Sequence, residues 1–411
     1  MQEEQHNNRE SGMRHLQRGM AFERSNRIAE AVNSYRQAIA SYPYLSEAHN
    51  ALGFYYQRSG LLAKAADEFR TVASLVGDFL AYFNLGYILV ELERYDEALD
   101  TFSHCLGLDP NDSATHFEIG LIHYACGDYG AALCHLQTPL SSYPSDWEIH
   151  NLTGKCHLGM RSYDEAISAF GRALLLTNSP QAQVELLDNI NTVERYREFR
   201  SLTTVKDQLY AQEGVVYLGS AQDDGLHTQD VHDFHFSYPD IGTTLQRLIA
   251  LIKSARWSFT AIVCGDTLTR PLANALAHLL EIPQRSVDQL VTDDRALLLI
   301  AVAREAELLQ LTIERTPCPA TAFCLSLNWL RHSKVLPDLI GITAHGVSSV
   351  PWETELRHLR ADGAPAAQID TCVSLSTQQI IQAFHETPID GNLSRQIRYY
   401  IRNHRKVNAK T

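Results

Sequence analysis

The sequence predicts a multidomain α and α/β protein: an N-terminal α-solenoid of repeated helix pairs, followed by an α/β domain with a mostly parallel sheet. Two observations lead to this prediction. A glycine recurs about every 34 residues in the first half, and five apolar runs alternate with amphipathic segments in the second half. A fixed period of this length is typical of solenoids. Apolar runs that alternate with helical segments are typical of parallel sheets covered on both faces.

The helical repeats share three positions. The glycines are Gly19, Gly53, Gly86, Gly120 and Gly154, and an alanine follows each of them twelve residues later, at Ala31, Ala65, Ala98, Ala132 and Ala166. Four residues further on stands a large apolar residue: Tyr35, Phe69, Phe102, Leu136 or Phe170. We expect the small residues to let two antiparallel helices approach closely, and the large residue to fill the gap to the next pair. One pair cannot bury its own apolar face, so the units must stack.

These positions resemble the tetratricopeptide-repeat family over residues 12–178, with prolines closing three units at Pro43, Pro110 and Pro144. The resemblance implies five repeats followed by a capping helix and linker at 179–204, and residues 1–11 are expected to form a polar N-terminal extension. In this family the first helix of each repeat lines a concave groove that binds a peptide. Matched onto this chain, the groove would contain Asn50, Phe54, Phe83, Asn84, Tyr87, Phe117, Leu121, Tyr124, Asn151 and Lys155.

A groove of this composition suits a peptide with apolar anchors whose backbone is held by asparagine amides. The alternative is that some of the aromatic residues belong to the core between repeats, which is the commoner fate of apolar side chains at helical spacing.

The α/β domain is expected over residues 205–390. Its predicted strands are 214–220, 258–265, 295–303, 320–329 and 338–344, and its predicted helices are 241–255, 268–281 and 304–315. Residues 391–411 form a basic tail with Arg395, Arg398, Arg402, Arg405, Lys406 and Lys410. An apolar stripe within the tail predicts an amphipathic helix that docks on its own domain or on a partner.

A turn in this domain could bind an anion. The segment CGDTLTRPLANALAHLLEIP (264–283) joins a strand to a helix through a glycine, and N–H groups at such a helix start can bind phosphate. The candidate anion-binding residues are Gly265, Asp266, Thr267, Thr269 and Arg270.

Together with PDLIGITAHGVSSVPWE (337–353), this segment resembles the type I phosphoribosyltransferases. That family needs an adjacent acidic pair and a small-residue phosphate loop, which would fall near residues 297–311. This sequence has Arg304, Glu305 and Glu307 there, with no glycine or threonine to approach a phosphate. We therefore expect a degenerate, non-catalytic relative of such a fold, with no catalytic residue assigned.

Residues 223–240 contain His227, His232 and His235 beside several aspartates. Their imidazole nitrogens and carboxylate oxygens are suitable ligands for a metal. Their spacing matches no compact zinc motif, and a polar surface loop is the favoured interpretation. Cys264 at the glycine turn could be activated by the helix start, but a buried thiol is the simpler expectation. No metal and no cofactor are predicted.

The composition limits the classes of partner and the cell compartment that we expect for this protein. A formal net charge of −13 argues against nucleic acid or an anionic membrane as the partner of the main body. No apolar run approaches the roughly 20 residues that span a bilayer. Eight cysteines without a CxxC pair favour free thiols and a cytoplasmic protein.

The leading hypothesis is a non-catalytic scaffold, an adaptor or assembly factor that binds a partner peptide in the groove. The alternative is a phosphoribosyltransferase-like enzyme, or a regulatory protein that senses a nucleotide, phosphate or other metabolite.

Overall fold

The computed structural model describes residues 2–227, 231–304, 306–328 and 335–401. The chain divides into two compact units, Met1–Leu186 and Leu187–Thr411. Their boundary falls inside the helix Pro180–Arg197, within the segment that the sequence assigned to a capping helix and linker.

Helix pairs build the first unit. The helices are α1 (Gln2–Arg24), α2 (Ile28–Ser41), α3 (Ser46–Arg58), α4 (Leu62–Val76), α5 (Phe79–Glu91), α6 (Tyr95–Leu108), α7 (Ser113–Ala125), α8 (Tyr129–Ser142), α9 (Trp147–Gly159) and α10 (Tyr163–Leu176), followed by α11 (Pro180–Arg197). Residues 2–11 are the first turns of α1 rather than a separate polar extension. Glutamine and glutamate are good helix formers, so the composition of this stretch suits a helix although it is polar.

The repeat glycines are required by close packing within each pair. A Cβ atom on Gly53 would lie 2.7 Å from Cε1 of Phe69, and one on Gly86 would lie 2.6 Å from Cε1 of Phe102. The aromatic ring therefore rests on the glycine of its own repeat, which refines the expectation that it fills the gap to the next pair. The repeat alanines are buried to 2% exposure or less, as close helix contact demands.

Each pair is joined by a turn with one residue in the left-handed region. These residues and their φ angles are Asn26 (56°), Gly60 (69°), Glu93 (57°), Gly127 (79°) and Arg161 (60°). The turn geometry therefore repeats with the period of the helices, although glycine supplies it in only two of the five turns.

The second unit contains the α/β sheet. Its elements are α12 (Val205–Glu213), β1 (Val216–Tyr217), β2 (Phe234–His235), α13 (Tyr238–Ala255), β3 (Ala261–Cys264), α14 (Arg270–Leu280), β4 (Ala296–Ala303), α15 (Ala306–Glu314), β5 (Ala320–Asn328), β6 (Leu339–Ala344), β7 (Ser348–Ser349), α16 (Glu353–Ala361), α17 (Ala366–Glu386) and α18 (Leu393–Tyr400).

Five strands pair in the order β1-β6-β5-β4-β3, and every neighbouring pair is parallel. Every residue of β4 and β6 is buried, which explains why these strands read as continuous apolar runs. All five predicted strands are present within this sheet. The sequence did not predict β2 and β7, which form a separate parallel pair of two residues each.

Arg247 of α13 ties the loop after β1 to the C-terminal region. Its side chain is 1% exposed and donates hydrogen bonds to Leu218 O (2.8 Å) and Ser220 O (3.0 Å). It also forms ion pairs with Asp223 (3.1 Å) and Asp390 (2.6 Å). The bonds of its two Nη atoms hold distant segments in one arrangement, whereas its Nε is buried without a hydrogen-bond acceptor among the described residues.

Candidate functional site

The predicted groove residues lie on the first helices of repeats two to five. Phe54 of α3 and Tyr87 of α5 are 41% and 38% exposed. Phe83, Phe117, Leu121 and Tyr124 are partly buried and pack against the core clusters of the repeats. These side chains therefore contribute to the core of the repeats and still present part of their surface.

Aromatic contacts fix the orientation of several of these rings. Phe54 meets Phe69 edge to face at 5.1 Å between centroids, and Phe83 stacks on Phe79 at 5.8 Å. Rings held by such neighbours lose little side-chain entropy when a ligand covers them.

The predicted asparagines differ in what they can offer. Asn50 is half-buried, and its Oδ1 is buried without a hydrogen-bond donor among the described residues. Asn84 is also half-buried. Asn151 Nδ2 instead donates to Glu185 of α11 (3.3 Å), and Lys155 Nζ donates to the same carboxylate (3.0 Å). The last two predicted groove residues are thus engaged by the helix that follows the fifth repeat.

Acidic side chains stand beside the aromatic row. Burial, followed by the charge of Glu91, raises the pKa of Glu118 to about 7. Burial together with Glu91 and Glu118 also raises the pKa of Tyr87. A cavity of about 520 Å³ lies at repeats four and five, next to Phe117 and Ile149. The charged residues that line it in the described part are all acidic: Asp109, Asp112, Glu118, Asp146 and Glu148.

A histidine contact that the sequence analysis missed recurs in three repeats. His49, His116 and His150 each stand four residues before the repeat glycine, and their Nε2 atoms lie 2.9–3.1 Å from the carbonyl oxygens of Pro43, Pro110 and Pro144. These prolines therefore do more than close the repeats, because their carbonyl oxygens contact the histidines. The regular spacing of six residues between proline and histidine is the signal that could have revealed the contact.

The candidate anion-binding turn is closed by its own side chains. Asp266 Oδ1 accepts hydrogen bonds from Thr269 N (2.8 Å) and Thr269 Oγ1 (2.5 Å), so a carboxylate already occupies the start of α14. Thr269 is fully buried and accepts from Ala301 N (2.8 Å). Arg270 pairs with Asp370 (2.8 Å), and Thr267 O accepts from the N–H of Arg270 (3.3 Å).

Sheet packing explains the glycine in this turn without a ligand. A Cβ atom on Gly265 would lie 2.9 Å from Leu299 O. Burial raises the pKa of Cys264 to about 11, which disfavours a reactive thiolate.

The three candidate metal-binding histidines have three different partners. His227 Nδ1 lies 2.9 Å from Asp224, His232 Nδ1 lies 3.1 Å from Asp233, and His235 Nδ1 lies 2.7 Å from Ser349 Oγ. No group of three or more His, Cys, Asp or Glu side chains is placed to hold a metal ion in the described part of the chain. Asp230, Glu305 and the tail residues after Ile401 lie outside the described residues.

Family models described as "Tetratricopeptide repeat" match this chain at residues 16–78, 79–112 and 117–183. The matches coincide with the helix pairs, so the first unit is a tetratricopeptide-repeat solenoid. None of these matches extends into the α/β unit, and the resemblance to phosphoribosyltransferases finds no support in them.

A curated relative is the TPR repeat-containing protein MJ1428 of Methanocaldococcus jannaschii, which is 25% identical over 154 residues. The match covers 37% of this chain and only 25% of that relative.

Among the described residues, no helix combines the length and apolar character needed to cross a membrane.

Solved structures with similar folds include YrrB, described as a TPR protein with an unusual peptide-binding site (17% identity, 42% of this chain and 89% of that chain, TM-score 0.38). A second example is MamA, with 18% identity over 47% of this chain and 98% of that chain and a TM-score of 0.38. A third is the thermophilic TPR protein TTC0263 of Thermus thermophilus, with 20% identity over 44% of this chain and 98% of that chain and a TM-score of 0.35. Similarity at this level does not extend to function.

Proposed function

We propose that the chain is an adaptor or assembly factor whose repeats bind a peptide segment of a protein partner along α3, α5 and α7. The observation that carries this proposal is the row of oriented, half-exposed aromatic side chains on these first helices, centred on Phe54, Phe83 and Tyr87. Aromatic residues in partly buried positions are the usual anchors of protein interfaces.

Charge narrows the class of peptide. The cavity next to Phe117 is lined by five acidic residues and no basic one among those described. A peptide that carries lysine or arginine beside its apolar anchors would pair with these carboxylates and suppress acidic competitors. The Oδ1 atom of Asn50, which is buried and has no donor among the described residues, is an acceptor for a backbone N–H of such a peptide.

The aromatic row is tested by replacing Asn50, Phe83 and Tyr87 with alanine in the tagged full-length protein. Each anchor lost from an interface typically costs about 1–2 kcal/mol or more, so binding should weaken at least about tenfold. Affinity capture from a lysate with quantitative mass spectrometry identifies the partners. Fluorescence anisotropy with a peptide of the captured partner, at low and high salt, then measures the affinity.

The matched control replaces Val76, Leu108 and Leu175, which are exposed apolar residues on second helices, with alanine. This variant should retain the partners and the peptide affinity. Equal capture by wild-type protein and the groove variant would show that the partner binds elsewhere.

The alternative function from the sequence, a phosphoribosyltransferase-like enzyme or a nucleotide sensor at Gly265, is not favoured by the geometry of that turn. The carboxylate of Asp266 takes the N–H of Thr269 that a phosphate would need, and its negative charge would repel the ligand. We propose instead that the α/β unit supplies a second binding surface of the adaptor.

A further inference from the structure

The second unit contains a cavity of about 680 Å³ that is separate from the turn at Gly265. It is bounded by the chain after α11, the first turn of α12, the loop after β1, and α18. Its cationic residues are Lys206, Arg395 and Arg398, and its apolar residues are Phe199, Leu226 and Tyr399. Neither the predicted groove nor the candidate anion-binding turn includes any of these six residues.

Helix α18 holds the two arginines in place. On its buried face, Gln396 Nε2 donates to Tyr217 O (3.2 Å), Leu218 O (3.0 Å) and Gly225 O (3.1 Å). The hydroxyl of Tyr400, which is 2% exposed, accepts from Tyr217 N (3.3 Å). Residues three and four apart share a helix face, so Arg395, Arg398 and Tyr399 line the cavity together.

The two arginines keep their charges available. Within the described ranges, neither Arg395 nor Arg398 forms an ion pair with a carboxylate, and both residues are exposed.

The opposite wall holds a buried ammonium group. Lys206 is 6% exposed, donates to Leu226 O, and lies 5.8 Å from the ring centroid of Tyr399. Burial lowers the pKa of Lys206. The two acidic residues of the lining have partners: Asp207 lies 3.9 Å from Lys206 Nζ, and Glu198 accepts from Tyr210 OH at 3.2 Å.

We infer that this cavity binds an organic phosphate, a phosphate monoester that carries an aromatic or other apolar body. The phosphate lies between Arg395 and Arg398, whose planar guanidinium groups match its oxygens. The apolar body covers Phe199, Leu226 and Tyr399, and the positive field of Lys206 adds to the attraction. A phosphate monoester has enough oxygens to accept hydrogen bonds from both guanidinium groups, whereas a single carboxylate is matched by one guanidinium group.

Phenyl phosphate is the probe, and isothermal titration calorimetry of the full-length protein in a low-salt chloride buffer is the measurement. Charge-assisted hydrogen bonds to two guanidinium groups predict that the double variant Arg395→Gln, Arg398→Gln binds phenyl phosphate about tenfold or more weakly. The control Arg315→Gln removes an exposed arginine that pairs with Asp288 outside the cavity, and it should bind like the wild type.

Three further arms complete the test. Inorganic phosphate and benzoate should each bind more weakly than phenyl phosphate. If inorganic phosphate binds equally well, the inferred apolar contacts are wrong. If benzoate binds equally well, the inferred preference for phosphate is wrong. The variant Tyr399→Ala should weaken phenyl phosphate more than inorganic phosphate. Absence of wild-type binding at about 10 mM ligand, or binding that the arginine variant retains, would refute the site. Both arginines are exposed, so circular dichroism should show an unchanged fold in that variant.

Because the cavity shares no residue with the repeats, this inference does not depend on the peptide groove. Loss of peptide binding in the groove variant would leave phenyl phosphate binding intact.

Discussion

Glu68 and His135 occupy the same position in repeats two and four, and each contacts the histidine on the first helix of its repeat. In repeat two, His49 Nδ1 lies 2.6 Å from Glu68, and this hydrogen bond raises the pKa of His49. In repeat four, His116 Nδ1 lies 3.0 Å from His135 Nδ1. Burial, and then the charges of His116 and His123, lower the pKa of His135.

These opposite shifts give opposite pH dependence. The raised pKa of His49 stabilises the fold below about pH 6.5, and this contribution is lost as the pH rises through the folded-state pKa. The lowered pKa of His135 means that the unfolded chain binds the extra proton first. Its contribution is therefore present above about pH 6.5 and is lost as the pH falls through the window between the two pKa values.

We expect His135→Glu to convert repeat four to the behaviour of repeat two. The carboxylate would face His116 as Glu68 faces His49, and it would raise the unfolding free energy near pH 6 by up to about 1 kcal/mol. Thermal midpoints measured between pH 5.5 and 8 should then fall less steeply toward acid pH than those of the wild type. His135→Gln, which removes the titrating group without adding charge, is the control. Parallel pH profiles for wild type and His135→Glu would contradict this assignment.

At the scale of elements, the turns within the repeats store strain. Glu93 and Arg161 are exposed and hold φ angles of 57° and 60°, where a side chain costs roughly 1–2 kcal/mol. Glycine adopts this region readily, as it does at Gly60 and Gly127.

Replacing Glu93 or Arg161 with glycine should therefore raise the unfolding free energy by about 0.5–1 kcal/mol, after the entropy of the unfolded glycine is subtracted. Urea denaturation followed by circular dichroism measures the change. The reverse substitution, Gly60→Ala, should destabilise the protein by a similar amount. A loss of stability in Glu93→Gly would show that its side chain makes a contact that outweighs the strain.

The elements that sequence reasoning predicted are those whose signal is periodic or continuous. Repeat glycines and buried strands such as β4 belong to this class, because stacking and burial act on every residue of the pattern. The β2 and β7 pair was missed because two-residue strands carry no period. The carboxylate that closes the turn at Gly265 was missed because the sequence Asp266–Thr269 suits a ligand loop and an internal cap equally well.

The predicted groove was only partly accessible to sequence reasoning for a similar reason. Helix periodicity identifies the face that carries Phe83 and Phe117, but not how much of each ring the next repeat covers. Asn151 and Lys155 were assigned to the same face, and only tertiary structure reveals that Glu185 engages them.

At the scale of the whole molecule, each unit has its own hydrophobic core, and the buried Arg247 forms two ion pairs within the second unit. Its partners Asp223 and Asp390 are far apart in sequence. Burial raises the pKa of Asp223 despite the ion pair, which indicates how strongly this site is desolvated.

We expect Arg247→Met to destabilise the second unit by about 3–5 kcal/mol, because it leaves two half-buried carboxylates without their cation. Limited proteolysis and calorimetry should show early unfolding of the α/β unit, while the helical signal of the repeats persists. Arg315→Met, which removes only an exposed ion pair, should cost less than about 1 kcal/mol. Similar stability of the two variants would mean that Asp223 and Asp390 find other partners.

The anchoring of β1 by Gln396 and Tyr400 has a consequence for synthesis on the ribosome. Each repeat contacts neighbours that are close in sequence, so the solenoid can assemble pair by pair as the chain emerges. The edge of the sheet at Tyr217 instead forms its hydrogen bonds with Gln396 and Tyr400, which are synthesised more than 170 residues later. The α/β unit is therefore completed last, and a chain cut short before α18 would leave this edge strand unsecured and open to pairing with other chains.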